Sequence, residues 1–109
     1  MLFDSLCIRD LRVYAETLDG EVLHFRDRSG LECDAVVRLR SGDYGPIEIK
    51  LGGDRAVDQG AQSLKKLAAK IDTDRMPKPP FLAVVTGVGE FGYPRADGVM
   101  VVPVRTLAP

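Results

Sequence analysis

Two predicted neighbouring strands carry acidic and basic side chains in a pattern that suits metal-dependent cleavage of a phosphodiester. The first strand, residues 31–40, contains Asp34, and the second, residues 44–51, contains Glu48 and Lys50. Because a Ser-Gly-Asp turn separates them, we expect the two strands to form an antiparallel hairpin. Side chains on one face of such a pair lie about 5–8 Å apart, so two carboxylates and an amine would meet there.

The hairpin turn sets which of these residues face each other. A turn centred near Gly42 would place Asp34 almost opposite Lys50, with Glu48 on the diagonal. Mg²⁺ or Mn²⁺ prefers oxygen ligands and keeps several waters, so Asp34 and Glu48 together with a phosphate oxygen would suffice as ligands. The backbone carbonyl of Ile49 is a further candidate ligand. The ammonium of Lys50 would orient the attacking water or offset charge on the phosphate.

The same residues also fit a hairpin that exposes one face to water and performs no chemistry. Alternating charge is typical of such a face, which also carries Arg38. Asp34 and Glu48 would then form ion pairs with Arg38 and Lys50, each contributing under about 1 kcal/mol at a surface. The residue pattern alone leaves both interpretations open.

Composition and charge limit the functions that are available. The 109 residues suffice for a single domain spanning residues 1–109. A net charge of -1 gives no general attraction to nucleic acid, and an aromatic content of 6% without Trp shows no stacking platform for single strands. Phosphate contacts would therefore need a local basic surface. The second predicted helix offers Gln62, Lys66 and Lys70, although the pattern favours a solvated helix face.

Other signals are typical of a reduced, cytoplasmic protein without a membrane partner. Cys7 lies in an apolar pattern, and strict alternation places Cys33 on one apolar face with Ala35 and Val37. One His and no Cys-x-x-Cys argue against a zinc site. No apolar run approaches the roughly 20 residues of a membrane-spanning helix, and the start does not resemble a signal peptide. The Gly-rich stretch 87–98 lacks the Lys and Ser/Thr of a phosphate-binding loop, so this domain alone is not an ATPase.

Hydrophobic spacing predicts the elements that position these residues. Apolar residues three and four apart predict helices over residues 2–19 and 54–71, the second with Asp54 as its N-cap. Alternation and apolar runs predict strands over residues 21–28, 31–40, 44–51, 81–86 and 99–104. The strand at 81–86 is apolar on both faces and should be central, whereas Pro103 places the last strand at an edge. The predicted fold is α/β, a mixed sheet with helices packed on it.

Several segments resemble known families. Asp34 followed by Ile47-Glu48-Ile49-Lys50, with a helix before and after, resembles the PD-(D/E)XK nuclease superfamily. Almost the whole chain also resembles an uncharacterised domain that follows an AAA-type ATPase core in many prokaryotic proteins. The segments that carry this second resemblance are Leu2–Leu6, Arg9–Arg12, Phe25–Asp27, Gly30–Asp34, Glu48–Gly53 and Asp97–Pro103.

The resemblance implies a restriction-endonuclease-like fold, here in the order αβββαββ, and an N-terminal ATPase module as partner. The chain would then be the C-terminal piece of a longer ATPase. It also implies Asp34, Glu48 and Lys50 as catalytic residues, with Asp34 and Glu48 binding Mg²⁺ or Mn²⁺. At Asp4 the family usually has Glu, one methylene longer. Asp4 is therefore either a further metal ligand, approaching from the first helix, or an acid that favours the helix dipole.

Two functions follow from these observations. The first is a Mg²⁺-dependent DNA phosphodiesterase, favoured by the intact Asp34, Glu48 and Lys50, whose tips should converge within about 6 Å of each other. The second is a catalytically silent interaction or regulatory domain of the same fold, since a fold does not determine a function. The net charge of -1 and the few aromatic residues favour the second.

Overall fold

The structure, a computed structural model, describes residues 2–26, 32–70, 78–89 and 91–107. In chain order its elements are α1 (Leu2–Thr17), β1 (Glu21–Arg26), β2 (Glu32–Arg38), β3 (Tyr44–Lys50), α2 (Asp54–Ala69), β4 (Ala83–Thr86), β5 (Tyr93–Pro94), β6 (Met100–Pro103) and a final 3-10 turn (Val104–Leu107). The predicted class is confirmed at this level, because two helices pack on one mixed sheet.

The sheet has the strand order β1-β2-β3-β4-β6-β5. The first three strands are antiparallel, β3, β4 and β6 are parallel, and β5 runs antiparallel to β6. The central position predicted for β4 is confirmed, since all of its residues are buried. The edge position predicted for the last strand is wrong, because the unpredicted β5 pairs with Met100 and Val101. Pro103 is tolerated because β5 ends its pairing before reaching it.

Each face of the sheet supports its own core. One core lies under α1 and comprises Cys7, Leu11, Ala15, Ala35, Val37, Ile47, Ile49, Ala83, Val85 and Leu107. The other lies under α2 and comprises Cys33, Val57, Ala61, Leu64, Leu67, Val84, Val99 and Val101. Because β3 and β4 contribute to the interior beneath both helices, any charged residue on them must be accommodated inside the protein.

Helix α2 begins immediately after β3, so its first turn lies close to Lys50. The N-cap is Gly53, with no side-chain capping bond, and the prediction of Asp54 in this role is wrong. Asp54 is instead the first helical residue, where its negative charge favours the helix dipole. The N-cap has no acceptor side chain, so backbone continuity from β3 and packing on the sheet fix where α2 starts.

Candidate active site

A β-bulge interrupts β2 next to the predicted site. β1 pairs Leu23 with Val36 and Phe25 with Cys33, so three steps along β2 match two along β1. An extra residue in one strand turns the side chains beyond it towards the opposite face. Cys33 accordingly belongs to the core under α2, whereas Ala35 belongs to the core under α1. The prediction that strict alternation puts both residues on one face is therefore wrong.

Asp34 lies where the hairpin strands separate. The β2–β3 ladder ends at the pair Ala35–Ile47. Beyond it, the Oδ2 atom of Asp34 accepts a hydrogen bond of 2.7 Å from the backbone N–H of Ile49. The carboxylate thus replaces the strand partner that Ile49 lacks, and the bond is strengthened by its negative charge. Asp34 remains exposed to solvent at the same time.

The register of the hairpin differs from the predicted one. Arg38 pairs with Tyr44, which centres the turn on Ser41 and not on Gly42. The cause is a compact closure in which the N–H of Leu39 donates to the carbonyl of Asp43 at 2.8 Å. A regular continuation of this ladder would set position 34 opposite position 48. Position 34 is therefore not opposite Lys50 as predicted, because the turn is centred one residue earlier than assumed.

Glu48 and Lys50 lie on the face of β3 that α2 covers. Their neighbours Ile47 and Ile49 point into the core under α1, and alternation directs Glu48 and Lys50 the other way. Across the parallel ladder Glu48 pairs with Val84 and Lys50 with Thr86. Glu48 is only 9% exposed and Lys50 is half-buried. The interpretation of this hairpin as a water-exposed surface with ion pairs requires Glu48 to be solvated, and its low exposure argues against that.

The buried thiol of Cys33 feels the charge of both carboxylates. Burial above all, followed by the nearby charges of Glu48 and Asp34, raises its pKa to about 11, while a hydrogen bond with the backbone of Ile47 acts in the opposite direction. The Sγ atom donates to the carbonyl of Ala35 at 3.3 Å. Both carboxylates thus act on one buried atom. The sequence pattern gave no sign of this, because Cys33 was assigned to the other face.

The oxygen atoms around Asp34 suit a hard divalent cation. Successive strand residues direct their carbonyls to alternate sides, and that of Lys50 accepts from Gly87 on the β4 side at 3.2 Å. The carbonyl of Ile49 therefore faces β2, beside Asp34. This carbonyl and the carboxylates of Asp34 and Glu48 are ligands that fit Mg²⁺ or Mn²⁺ with retained waters. Within the described ranges, no group of three or more His, Cys, Asp or Glu residues is arranged to hold a metal.

Asp4, the other predicted ligand, lies in the first turn of α1. Its side chain is outside the described part of the structure, and so is the predicted approach to the cluster. Among the described residues, the candidate metal ligands are therefore Asp34, Glu48 and the Ile49 carbonyl.

The polar stripe of α2 lies away from this site. Gln62, Lys66 and Lys70 are all exposed and follow one another at intervals of four residues. They lie opposite the buried stripe that includes Val57 and Leu64. Any phosphate contact on this stripe would thus be made on the outer surface of the helix, separated by the helix itself from Glu48.

A charge network beside this stripe ties α2 to the turn before β6. Arg95 contacts Asp58 at 2.8 Å and Asp97 at 3.2 Å, and Lys65 contacts Asp97 at 3.0 Å. The hydrogen bond from Lys65, together with those from the Val99 N–H and Arg95, lowers the pKa of Asp97 to about 2. Hydrophobic periodicity carries no information on such pairs, since they join distant parts of the sequence.

The fold and this site define a mixed α/β domain with two carboxylates and a lysine at the centre of its sheet. The family described as "Domain of unknown function (DUF4143)" matches residues 1–107, so the chain belongs to that family. This confirms the predicted membership of an uncharacterised family, whereas the ATPase context and the nuclease fold stay predictions. No curated protein and no solved structure gives a significant match. Among the described residues, neither helix has the length and apolar character to cross a membrane.

Proposed function

We propose that the chain is a restriction-endonuclease-like domain of a prokaryotic AAA-type ATPase, a cytoplasmic Mg²⁺- or Mn²⁺-dependent phosphodiesterase acting on DNA. The observation that carries the proposal is the carboxylate of Asp34, held at the N–H of Ile49 where β2 and β3 separate, next to the strand that carries the buried Glu48. Buried carboxylates are rare in proteins, and they are found more often at functional sites than elsewhere.

Each residue has a defined role in this proposal. Asp34, Glu48 and the carbonyl of Ile49 would hold a divalent cation, which would supply a water of lowered pKa and offset negative charge on the phosphate. Lys50 projects from the same face as Glu48, and its ammonium orients the water or stabilises the charge that develops on the phosphate. Solvent reaches the site at the exposed Asp34, which is where a substrate phosphate would enter.

Cleavage assays with matched variants test this function. The purified chain, and the full-length ATPase in which we place it, should nick or degrade DNA with Mg²⁺ or Mn²⁺. Glu48→Gln should lower the rate about 100-fold or more, because it removes ligand charge while it keeps the shape. Asp43→Asn, at an exposed acid of the turn, should leave the rate unchanged.

Lys50→Ala separates catalysis from metal binding. We expect it to lower the rate while preserving the rise in melting temperature that Mn²⁺ causes, since a ligand that binds only the folded state stabilises it. Glu48→Gln should remove that rise. Cleavage that survives both substitutions would refute the assigned site.

The alternative is a catalytically silent interaction or regulatory domain of the same fold. It is favoured by four apolar side chains that are 40–48% exposed, three on α1 and one directly after it: Leu6, Val13, Tyr14 and Leu18. An apolar cavity of about 310 Å³ also lies between α1 and the sheet, lined in part by Tyr14 and Phe81. Exposed apolar patches commonly mark protein contacts. Absence of cleavage, together with absence of a Mn²⁺-induced rise in melting temperature, would support this function.

A further inference from the structure

Helix α2 passes over Lys50 at Gly60. A Cβ atom placed on Gly60 would lie 3.3 Å from the Cγ of Lys50 and 3.2 Å from the Cγ2 of Val84. Carbon atoms in favourable contact are about 3.5–4.0 Å apart, so even a methyl group would press on both side chains. The glycine thus lets the helix backbone approach the sheet where the lysine stem lies.

Glycine has no conformational reason to occupy this position. Gly60 lies in the interior of a regular helix and is buried, and glycine there is less favourable than alanine. The steric requirement of the Lys50 stem and of Val84 accounts for it. A lysine side chain is long and flexible, and its ammonium can be directed only if the stem is confined. Here the stem is confined by the helix above it and by β4, whose Thr86 pairs with Lys50 and is buried.

We propose that Gly60 is a positioning residue for Lys50: by omitting a side chain, it fixes the path of the lysine stem between α2 and β4 and so directs the ammonium. This inference rests on the proposed function, because only a reacting site requires the ammonium in one place. A displacement of about 1 Å suffices to lower a rate about 100-fold. Gly60→Ala should therefore harm catalysis without harming the fold.

A double-mutant cycle tests the contact without relying on activity. Gly60→Ala is made in the wild-type chain and in the Lys50→Ala chain, and the melting temperature is measured for each. The contact of the new methyl group with Val84 is present in both backgrounds, so its effect cancels in the comparison. Its contact with the Cγ of Lys50 exists only in the wild-type background. We expect the change in melting temperature caused by Gly60→Ala to be more favourable by several degrees in the Lys50→Ala background than in the wild-type background. Equal shifts in the two backgrounds would overturn the proposal.

Kinetics test the consequence for the reaction. With Mn²⁺ and DNA, Gly60→Ala should lower kcat about tenfold or more and leave KM and the Mn²⁺-induced melting shift unchanged, whereas the exposed Ser63→Ala on the same helix should change none of them. A wild-type kcat for Gly60→Ala would overturn the positioning role. Absence of cleavage by both the wild-type chain and the full-length ATPase would refute the proposed function. The double-mutant cycle would still decide separately whether Gly60 confines Lys50.

Discussion

Replacing Asp34 by Ala and by Asn separates its structural role from its role as a metal ligand. Its Oδ2 accepts the N–H of Ile49 at 2.7 Å, and Ile49 is only 6% exposed. Ala leaves that N–H without its acceptor. Asn keeps an oxygen in the same place and removes only the charge. The two variants should therefore differ in stability although both lack the ligand charge.

The size of the effect follows from the surroundings of the bond. Leaving a buried donor unsatisfied costs about 1–3 kcal/mol. Because Asp34 is exposed and the bond is only partly buried, water replaces some of it, and we expect about 1 kcal/mol for Asp34→Ala. A neutral bond is roughly half as strong as a charged one, so Asp34→Asn should lose about 0.5 kcal/mol. In a domain of this size, 1 kcal/mol lowers the melting temperature by about 4–8 °C.

Thermal unfolding in the presence of EDTA measures these losses without any contribution from a cation. Amide hydrogen exchange of Ile49 gives a second, local measurement, which should show faster exchange in Asp34→Ala and protection in Asp34→Asn. Glu16→Ala, at an exposed acid of α1, should leave both measurements unchanged. Equal stabilities for the Ala and Asn variants, or an unchanged exchange rate in Asp34→Ala, would refute the assignment of Asp34 as the partner of this N–H.

Three further predictions concern the scaffold. Gly45→Ala should lower the free energy of unfolding by about 1–3 kcal/mol, measured by thermal unfolding, because the added Cβ would overlap the Phe81 ring. Gly52→Ala should be nearly neutral, since its nearest contact would be 3.6 Å away. Similar stabilities of the two variants would contradict the packing of Phe81. The pKa of Asp97 is lowered to about 2, so this carboxylate stabilises the folded protein above its pKa in the unfolded chain, about 4, and the stabilisation is lost as pH falls towards 2. An NMR titration of this carboxyl with a midpoint near 4 would contradict the bond from Lys65. Both cysteines are buried, so a thiol reagent should modify neither in the native protein and both in urea, and rapid modification without denaturant would disprove their burial.

Local sequence signals predicted the elements that depend on periodicity and turns. The apolar spacing of α1 and α2 and the apolar run of β4 can be recognised within short stretches of sequence. The placement of Asp34, Glu48 and Lys50 on two neighbouring strands was predicted from the same kind of local pattern. The bulge in β2 was not predictable from β2 alone, because it is defined by a shift in pairing with β1.

Other features were missed because they depend on distant partners. The two residues of β5 lie in a Gly-rich segment, and they form a strand only through pairing with β6. The burial of Glu48 follows from α2 crossing β3. Alternation within β3 shows that Glu48 faces away from the isoleucines, and it does not show what covers that face.

The strand order also bears on the sequence of events during folding. β1, β2 and β3 are consecutive along the chain and adjacent in the sheet, whereas β4 joins β3 only after the whole of α2 has intervened. Contacts between segments close in sequence form faster than those that must close a long loop. Asp34 and Glu48 therefore assemble within a local meander, and the confinement of Lys50 between α2 and β4 follows later. We expect Asp34 and Glu48 to reach their places in a nascent chain before Lys50 is fixed.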